Sequence, residues 1–163
     1  MPRRSAGILL YRSTHGRLEV LLVHPGGPFY SRKDLGTWGI PKGEYEPDEE
    51  PRACAIREFE EELGQSPPAG TMLELGEIRQ RNGKIVTAWG LEGDLDADAI
   101  HSNTFTAQWP PGSGQMREFP EIDRAAWLTL GAAAEKIIET QQPLVDRLAE
   151  IVSAGRFGNT SSG

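Results

Sequence analysis

Between Gly43 and Gly64 the chain reads GEYEPDEEPRACAIREFEEELG, and Glu58, Glu61 and Glu62 stand at separations that bring carboxylates together on one side of a helix. Left alone, like charges three and four residues apart repel, so something must offset them. Clustered carboxylate oxygens on a rigid face suit Mg²⁺ or Mn²⁺, hard cations that take oxygen ligands and bridge to phosphates. An arbitrary acidic run is ordinarily a solvated helix face. Here the spacing is specific: Gly43, five residues, Glu49, seven residues, Arg57-Glu58, then Phe59, one residue, Glu61-Glu62, one residue and Gly64. Seven fixed positions at ~6% per residue type would coincide about once in 10⁸ windows. Splayed into solvent or paired off with arginines, with no cavity beside them, these glutamates would not support the metal reading.

One helix over residues 49–63 would carry this face. Asp48 is its expected cap, Pro51 fits a first turn and Gly64 supplies a left-handed stop. At about 100° per residue, Ala53, Ile56, Phe59 and Leu63 gather on the side away from the acids and are the expected core face. Cys54 falls on the carboxylate side and is read as a small buried residue rather than a reactive thiol. Arg57 can reach Glu61 or Glu49, which makes it an orienting group rather than a substrate contact.

The stretch resembles the Nudix box, the signature of hydrolases acting on a nucleoside diphosphate linked to another moiety. The one departure is Gln65, where the family usually has an apolar residue. The resemblance implies an α/β Nudix-type α/β/α sandwich with a mixed sheet between helices, covering residues 4–154. It implies a metal-dependent pyrophosphohydrolase in which Glu58, Glu62 and the Gly43 carbonyl hold Mg²⁺ or Mn²⁺, with Glu61 either bridging or standing outside the ligand shell. Glu49 and Arg57 would keep those carboxylates in place. Many family members add a carboxylate from outside the box as metal ligand or general base. Glu121, just before the expected last strand, is the candidate, with Glu118 and Asp123 in reserve.

Composition agrees with a small enzyme. The chain has 163 residues, enough for one domain with a real core, expected over residues 1–155 with a disordered tail at 156–163. Net charge is −7, and residues 43–64 hold nine acids against two bases, a balance of −7, so the remainder is neutral overall. That balance offers no basic channel for long nucleic acid and leaves a small phosphorylated substrate as the expected partner. A lone cysteine, Cys54, excludes an internal disulfide, and no run is long enough for a membrane segment, so a soluble cytoplasmic protein is expected. The three histidines, His15, His24 and His101, show no zinc spacing.

Along the chain, 6–11 and 18–24 read as an antiparallel pair, 25–37 as a loop and 38–41 as a brief strand. Residues 73–81 and 84–91 flank Asn82-Gly83, a two-residue hairpin signal. Residues 103–109 alternate as a further strand, 110–114 leave the sheet, and 119–130 resemble the family's last strand. Thr129 would cap a helix to about 139, and Thr140 another to about 154, burying Leu144, Leu148, Ile151 and Val152.

Specificity lies outside the box. Lys42, Arg32 and Lys33 are candidate phosphate contacts. Trp109 is a candidate base-stacking residue, with Trp89 and Phe105 as other aromatics whose usual fate is packing. Arg79 stands where ADP-ribose hydrolases of the family have proline, and the tyrosine of many dinucleoside polyphosphate hydrolases is missing. Trp-Gly-Ile-Pro-Lys-Gly leading into the box nonetheless resembles the latter group, so a nucleoside triphosphate or dinucleoside polyphosphate is expected. The rivals are a non-catalytic nucleotide-sensing module and an RNA 5′-end pyrophosphohydrolase.

Overall fold

In the computed structural model, which describes residues 2–160, a single strand organises the rest. This is β1 (Arg4–Thr14), buried continuously from Ser5 to Tyr11. A strand with no exposed face needs cover on both sides. Ala6, Ile8 and Leu10 point into one core with Leu21, Val23, Phe59 and Leu63. Leu9 and Tyr11 point into the other with Val20, Leu22, Leu144 and Leu148. The two-residue period of the strand thus divides one apolar run between two layers.

The antiparallel partner β2 (Arg17–Pro25) returns through a tight turn in which His15 and Gly16 both take positive φ. Below it, β3 (Lys42–Glu44) occupies the same side of β1, pairing with Ser5–Gly7. Across the hairpin at Asn82-Gly83, β4 (Leu73–Arg79) and β5 (Ile85–Glu92) run antiparallel, and β5 pairs parallel to β1. The last strand of the sheet, β8 (Ile122–Thr129), adds to β2, giving the order β4-β5-β1-β2-β8 with β3 attached to β1. Helix α1 (Pro51–Leu63) covers one face, and α2 (Leu130–Lys136) and α3 (Gln142–Thr160) the other. This is the expected sandwich of a mixed sheet between helices.

Several details differ from the expectation. Residues 38–41 form only isolated bridges, Val23 to Gly39 and Trp38 to Ile137, because Pro41 has no N–H for a ladder; the strand is Lys42–Glu44. Helix α1 begins at Pro51, whose fixed φ starts the helix, with Glu50 as its flanking residue and no side-chain cap, so Asp48 lies outside. Ala53 and Ile56 are exposed; the buried set is Cys54, Ala55, Phe59, Glu62 and Leu63, because the helix turns its Cys54 and Glu62 side onto β3. Gly64, at φ 71, ends the helix as expected. Gln65 donates to the carbonyls of Asp96 and Ala99, so the departure from the box pattern ties α1 to the following loop.

Residues 116–120 form a strand, β7 (Met116–Pro120), that pairs with β6 (Thr104–Gln108) in a separate two-stranded sheet. The chain breaks at Glu121 before β8, so 119–130 is not one strand. Thr129 caps α2 by accepting from the Ala132 N–H, but α2 stops at Lys136. Thr140 lies in a 3₁₀ turn (Glu139–Gln141) instead of capping a helix, and Ile151 is exposed while Leu144 and Leu148 are fully buried. Helix α3 continues to Thr160, into the segment expected to be a disordered tail; residues 161–163 of that segment lie outside the described residues.

Phe59 is fully buried and joins α1 to the sheet. Phe59→Ala is expected to cost about 3–5 kcal/mol, read as a lower urea midpoint at unchanged slope. A loss below ~1 kcal/mol would show that α1 is not held by this packing.

Candidate active site

Helix α1 reaches β3 at two close points. The Glu62 Oε2 accepts from the Lys42 N–H at 3.2 Å, and the Cys54 thiol donates weakly to the Gly43 carbonyl at 3.4 Å. Between them the Glu58 carboxylate lies directly on the backbone of Gly43, where a Cβ would collide with it. Only glycine permits that approach. Cys54 is inert in this position, since burial first and the Glu49 charge next push its thiol up to about 11.

The side chains at this contact carry charge that burial opposes. Glu62 is 9% exposed, and burial pushes its carboxyl up to about 8; Lys42 opposes that rise while Glu58 and Glu121 add to it. Burial likewise raises the Glu58 carboxyl, with Glu61 next and Arg57 opposing. Glu121 is raised by burial and then by Glu61. Four carboxylates, three from α1 and one from the bend between β7 and β8, therefore act on one another across a shared volume.

Arg57 answers part of this charge. Its Nη1 lies 2.8 Å from Glu58 and 3.3 Å from Glu61, while Nε and Nη2 each donate to Glu49 at 3.0 Å. Its own ionisation is pushed further upward, by the Glu49 hydrogen bond first. Glu58 and Glu61 are thus paired with an arginine, whereas Glu62 and Glu121 are not. The Glu121 carboxylate joins no hydrogen bond or ion pair among the described residues, and neither does the Lys42 ammonium.

Backbone bonds place Glu121. Its N–H donates to Asn103 O at 2.8 Å, the Asn103 N–H donates to Glu61 O at 2.9 Å, and the Gly26 N–H donates to Glu121 O at 2.8 Å. These links depend on no side-chain type, so no residue pattern signals them. Both reserves are engaged elsewhere: Glu118 accepts from the Thr104 hydroxyl, and Asp123 sits 2.7 Å from His24 Nδ1. His24, fully buried, also reaches the Lys33 carbonyl from Nε2 at 2.6 Å, so it fastens the 25–37 loop rather than a metal.

The other candidates are dispersed. Arg32 and Lys33 are exposed in that loop, where the Lys33 ammonium lies over the Tyr30 ring, and neither touches the carboxylates. Trp109 meets Phe29 edge to face at 6.0 Å at the far end of the β6–β7 pair. Phe105 packs on Phe119, and Trp89 is a core residue at 7% exposure.

Among the described residues no group of three or more carboxylate, imidazole or thiolate side chains closes around a single point as a metal site would. The donor set still fits a hard divalent cation. It is all oxygen, it includes a buried Glu62 with no counter-charge in contact, and five carboxylates (Glu49, Glu58, Glu61, Glu62, Glu121) face two cations (Arg57, Lys42). A hollow of about 750 Å³, bordered by Arg3, Arg4, Glu44, Tyr45 and Glu49, opens beside the first turn of α1.

Solved structures share this architecture. A C. elegans Ap4A hydrolase in a binary complex is 22% identical, with a TM-score of 0.65 over 93% of this chain and 98% of that one. The NUDIX domain of Shewanella oneidensis NrtR, solved with ADP ribose, is 17% identical, with a TM-score of 0.65 over 93% and 89%. The E. coli ORF135 protein is 18% identical, with a TM-score of 0.57 over 94% of each chain. At these identities the likeness is one of fold. A search of curated proteins gave no match. The NUDIX domain family model matches residues 1–148, the span that holds the sheet, α1 and Glu121, and the chain belongs to the Nudix family.

Proposed function

We propose that the protein is a metal-dependent hydrolase that cleaves a phosphoanhydride bond in a nucleotide-type substrate, a nucleoside triphosphate or a dinucleoside polyphosphate. The observation that carries this reading is the buried Glu62, in no ion pair, beside Glu58 and Gly43 and acted on by the Glu121 charge from another element. A phosphoanhydride resists water because its own oxygens repel a nucleophile. Glu58, Glu62 and the Gly43 carbonyl would hold Mg²⁺ or Mn²⁺, with Glu61 beside them as a further acidic group. Such an ion, when bound, neutralises phosphate oxygens and makes water more acidic.

The remaining work falls to the chain. Arg57, gripped by Glu49, restrains Glu58 and Glu61 so that they do not splay. Lys42, unpaired and half-buried, meets substrate phosphate next to Gly43. Glu121, with a free and raised carboxyl, accepts the proton of the attacking water. The water oxygen bonds to phosphorus as the bridging oxygen leaves with the departing phosphate. A non-catalytic nucleotide-sensing module is the second reading, favoured by the pairing of Glu58 and Glu61 with Arg57. A panel of nucleoside triphosphates, dinucleoside polyphosphates, ADP-ribose and NADH with Mg²⁺ or Mn²⁺, products separated by chromatography, decides between them: turnover of none supports the sensor.

Glu62→Gln is expected to lower kcat by more than about a hundredfold while the fold survives, exceeding the 10–100-fold typical of a supporting residue. Near-normal rates in Glu58→Gln and Glu62→Gln alike would sink the assignment. Glu121→Gln is expected to lose about 10²–10⁴ in kcat, the range of a general base. If its rate stays put, the base lies elsewhere.

Stability should also depend on pH in a defined direction. The Glu62 carboxyl is near 8 in the folded chain against an ordinary value of 4.5, so between these values the folded state binds a proton that the unfolded state has released. Stability therefore falls as pH rises through that window. In chelator, Tm is expected to drop from pH 5 to pH 8, and Mg²⁺ to raise Tm more at pH 8. A flat profile that Glu62→Gln leaves unchanged would show that Glu62 is not the group responsible.

A further inference from the structure

His24 is fully buried, yet both nitrogens of its ring meet groups that only accept hydrogen bonds. Nδ1 lies 2.7 Å from the Asp123 carboxylate, and Nε2 lies 2.6 Å from the Lys33 carbonyl. A neutral imidazole has one N–H and serves one of these, leaving a lone pair aimed at the other; an imidazolium donates to both. Arg124 Nε stands 3.7 Å from the same Asp123 oxygen and favours the carboxylate over the acid, so both protons belong to the ring. The remaining charges packed about the ring gather on Trp38, which meets His24 edge to face at 5.2 Å. The Arg124 guanidinium and the Lys136 ammonium lie over the Trp38 ring, and Asp34 accepts from Trp38 Nε1 and from Lys136. The Lys33 ammonium is taken up by the Tyr30 ring instead.

Both bonds of His24 end on backbone that bears on Glu121. The β2–β8 register slips at this point: His24 pairs with Arg124 and Pro25 with Ile122, so Asp123 is an extra residue with no partner across the ladder. A bulge of this kind bends the strand and re-aims what precedes it. Two residues before Asp123, the Glu121 carbonyl accepts from the Gly26 N–H at 2.8 Å. The approach is close enough that a Cβ on Gly26 would collide with the Pro120 carbonyl. From its other nitrogen His24 holds Lys33, on the far side of the loop that begins with Pro25 and Gly26, and within that loop Gly27 lies against the Phe105 ring of β6. One buried ring thus ties together the segment that carries Glu121 and the loop that grips it.

We propose that His24 is a positioning residue for Glu121: as an imidazolium it fastens the bulge at Asp123 to the loop that holds the Glu121 backbone, and loss of its second proton as pH rises releases one of those ties. This rests on the reading of Glu121 as the base and adds a requirement to it. A base must be ionised to take a proton from water, which favours higher pH, whereas the ring that places it holds best when protonated. Turnover is therefore limited on the alkaline side by a group that never touches substrate.

NMR of the ¹⁵N-labelled chain in chelator reads the ring directly, with His24 told apart from His15 and His101 by its loss in His24→Gln. At pH 7 both His24 nitrogens are expected to carry hydrogen; in Asp123→Asn, whose amide can donate to Nδ1, only Nε2 should. A parent ring with a single protonated nitrogen at pH 7 overturns the proposal. Amide exchange reads the hold on Glu121. His24→Gln can serve only one of the two neighbours, so protection of the Gly26 N–H is expected to fall about tenfold or more, while the Gly64 N–H at the end of α1 reports an intact fold. Asp123→Asn, which keeps both bonds, should retain the Gly26 protection. Unchanged protection in His24→Gln, or an equal loss at Gly64, overturns the proposal. In kinetics the parent kcat is expected to decline on the alkaline side with KM constant within a factor of about two, and Asp123→Asn to lose that decline; the same pH profile in both overturns it. If no substrate is cleaved, the reading of Glu121 as a base fails, while ring protonation and Gly26 exchange still decide whether His24 holds its backbone.

Discussion

The structure depends on how closely α1 lies against β3, an approach that brings the Glu58 carboxylate into the space a side chain at Gly43 would take. With any Cβ there the Glu58 carboxylate would be displaced. Two further contacts, Glu62 to the Lys42 N–H and Cys54 to the Gly43 carbonyl, hold the same approach on either side. The apolar side of α1 supplies the force, since Phe59 and Leu63 are fully buried against β1 residues Ala6, Ile8 and Leu10. Hydrophobic burial on one side of the helix thus presses carboxylates against a backbone on the other.

That arrangement leaves an electrostatic debt. Burial raises Glu58, Glu62 and Glu121, and one guanidinium is divided among Glu49, Glu58 and Glu61. Pairing with Arg57 takes Glu58 and Glu61 out of that repulsion and weighs against a metal at those two, whereas Glu62, the deepest of the set, has no arginine partner. The two sides of the helix therefore pull against each other, with packing favouring the contact and desolvation opposing it.

Much of this was legible in the residues and some was not. The box, the left-handed stop at Gly64, the Asn82-Gly83 hairpin, the Thr129 cap and the layered α/β class all follow from local chemistry or from spacing within one element. The failures share a physical reason. Ala53 and Ile56 looked like core on a helical wheel, but which arc of an amphipathic helix is buried depends on where a strand crosses it, and β3 took the Cys54 and Glu62 side. The β6–β7 pair is only half legible because it stands off the main sheet with mostly exposed residues, so the usual alternation is weak. Backbone links from Asn103 to Glu61 and Glu121 left no trace in side-chain identity.

Charge shows the same limit in sharper form. Outside the box the residues are neutral in total, and the composition gave no basic channel; yet Arg3, Arg79 and Lys84, far apart in sequence, line one hollow without an acid among them. A sum over a chain reports only the average field, whereas a ligand meets the local one. Strand pairing decides the local field here, because β5 lies between β1 and β4 and carries Lys84 to the residues that flank both. The sheet order that carries β3 alongside β1 and so places Gly43 under Glu58 is therefore also what collects the cations, through the pairing of β1, β5 and β4.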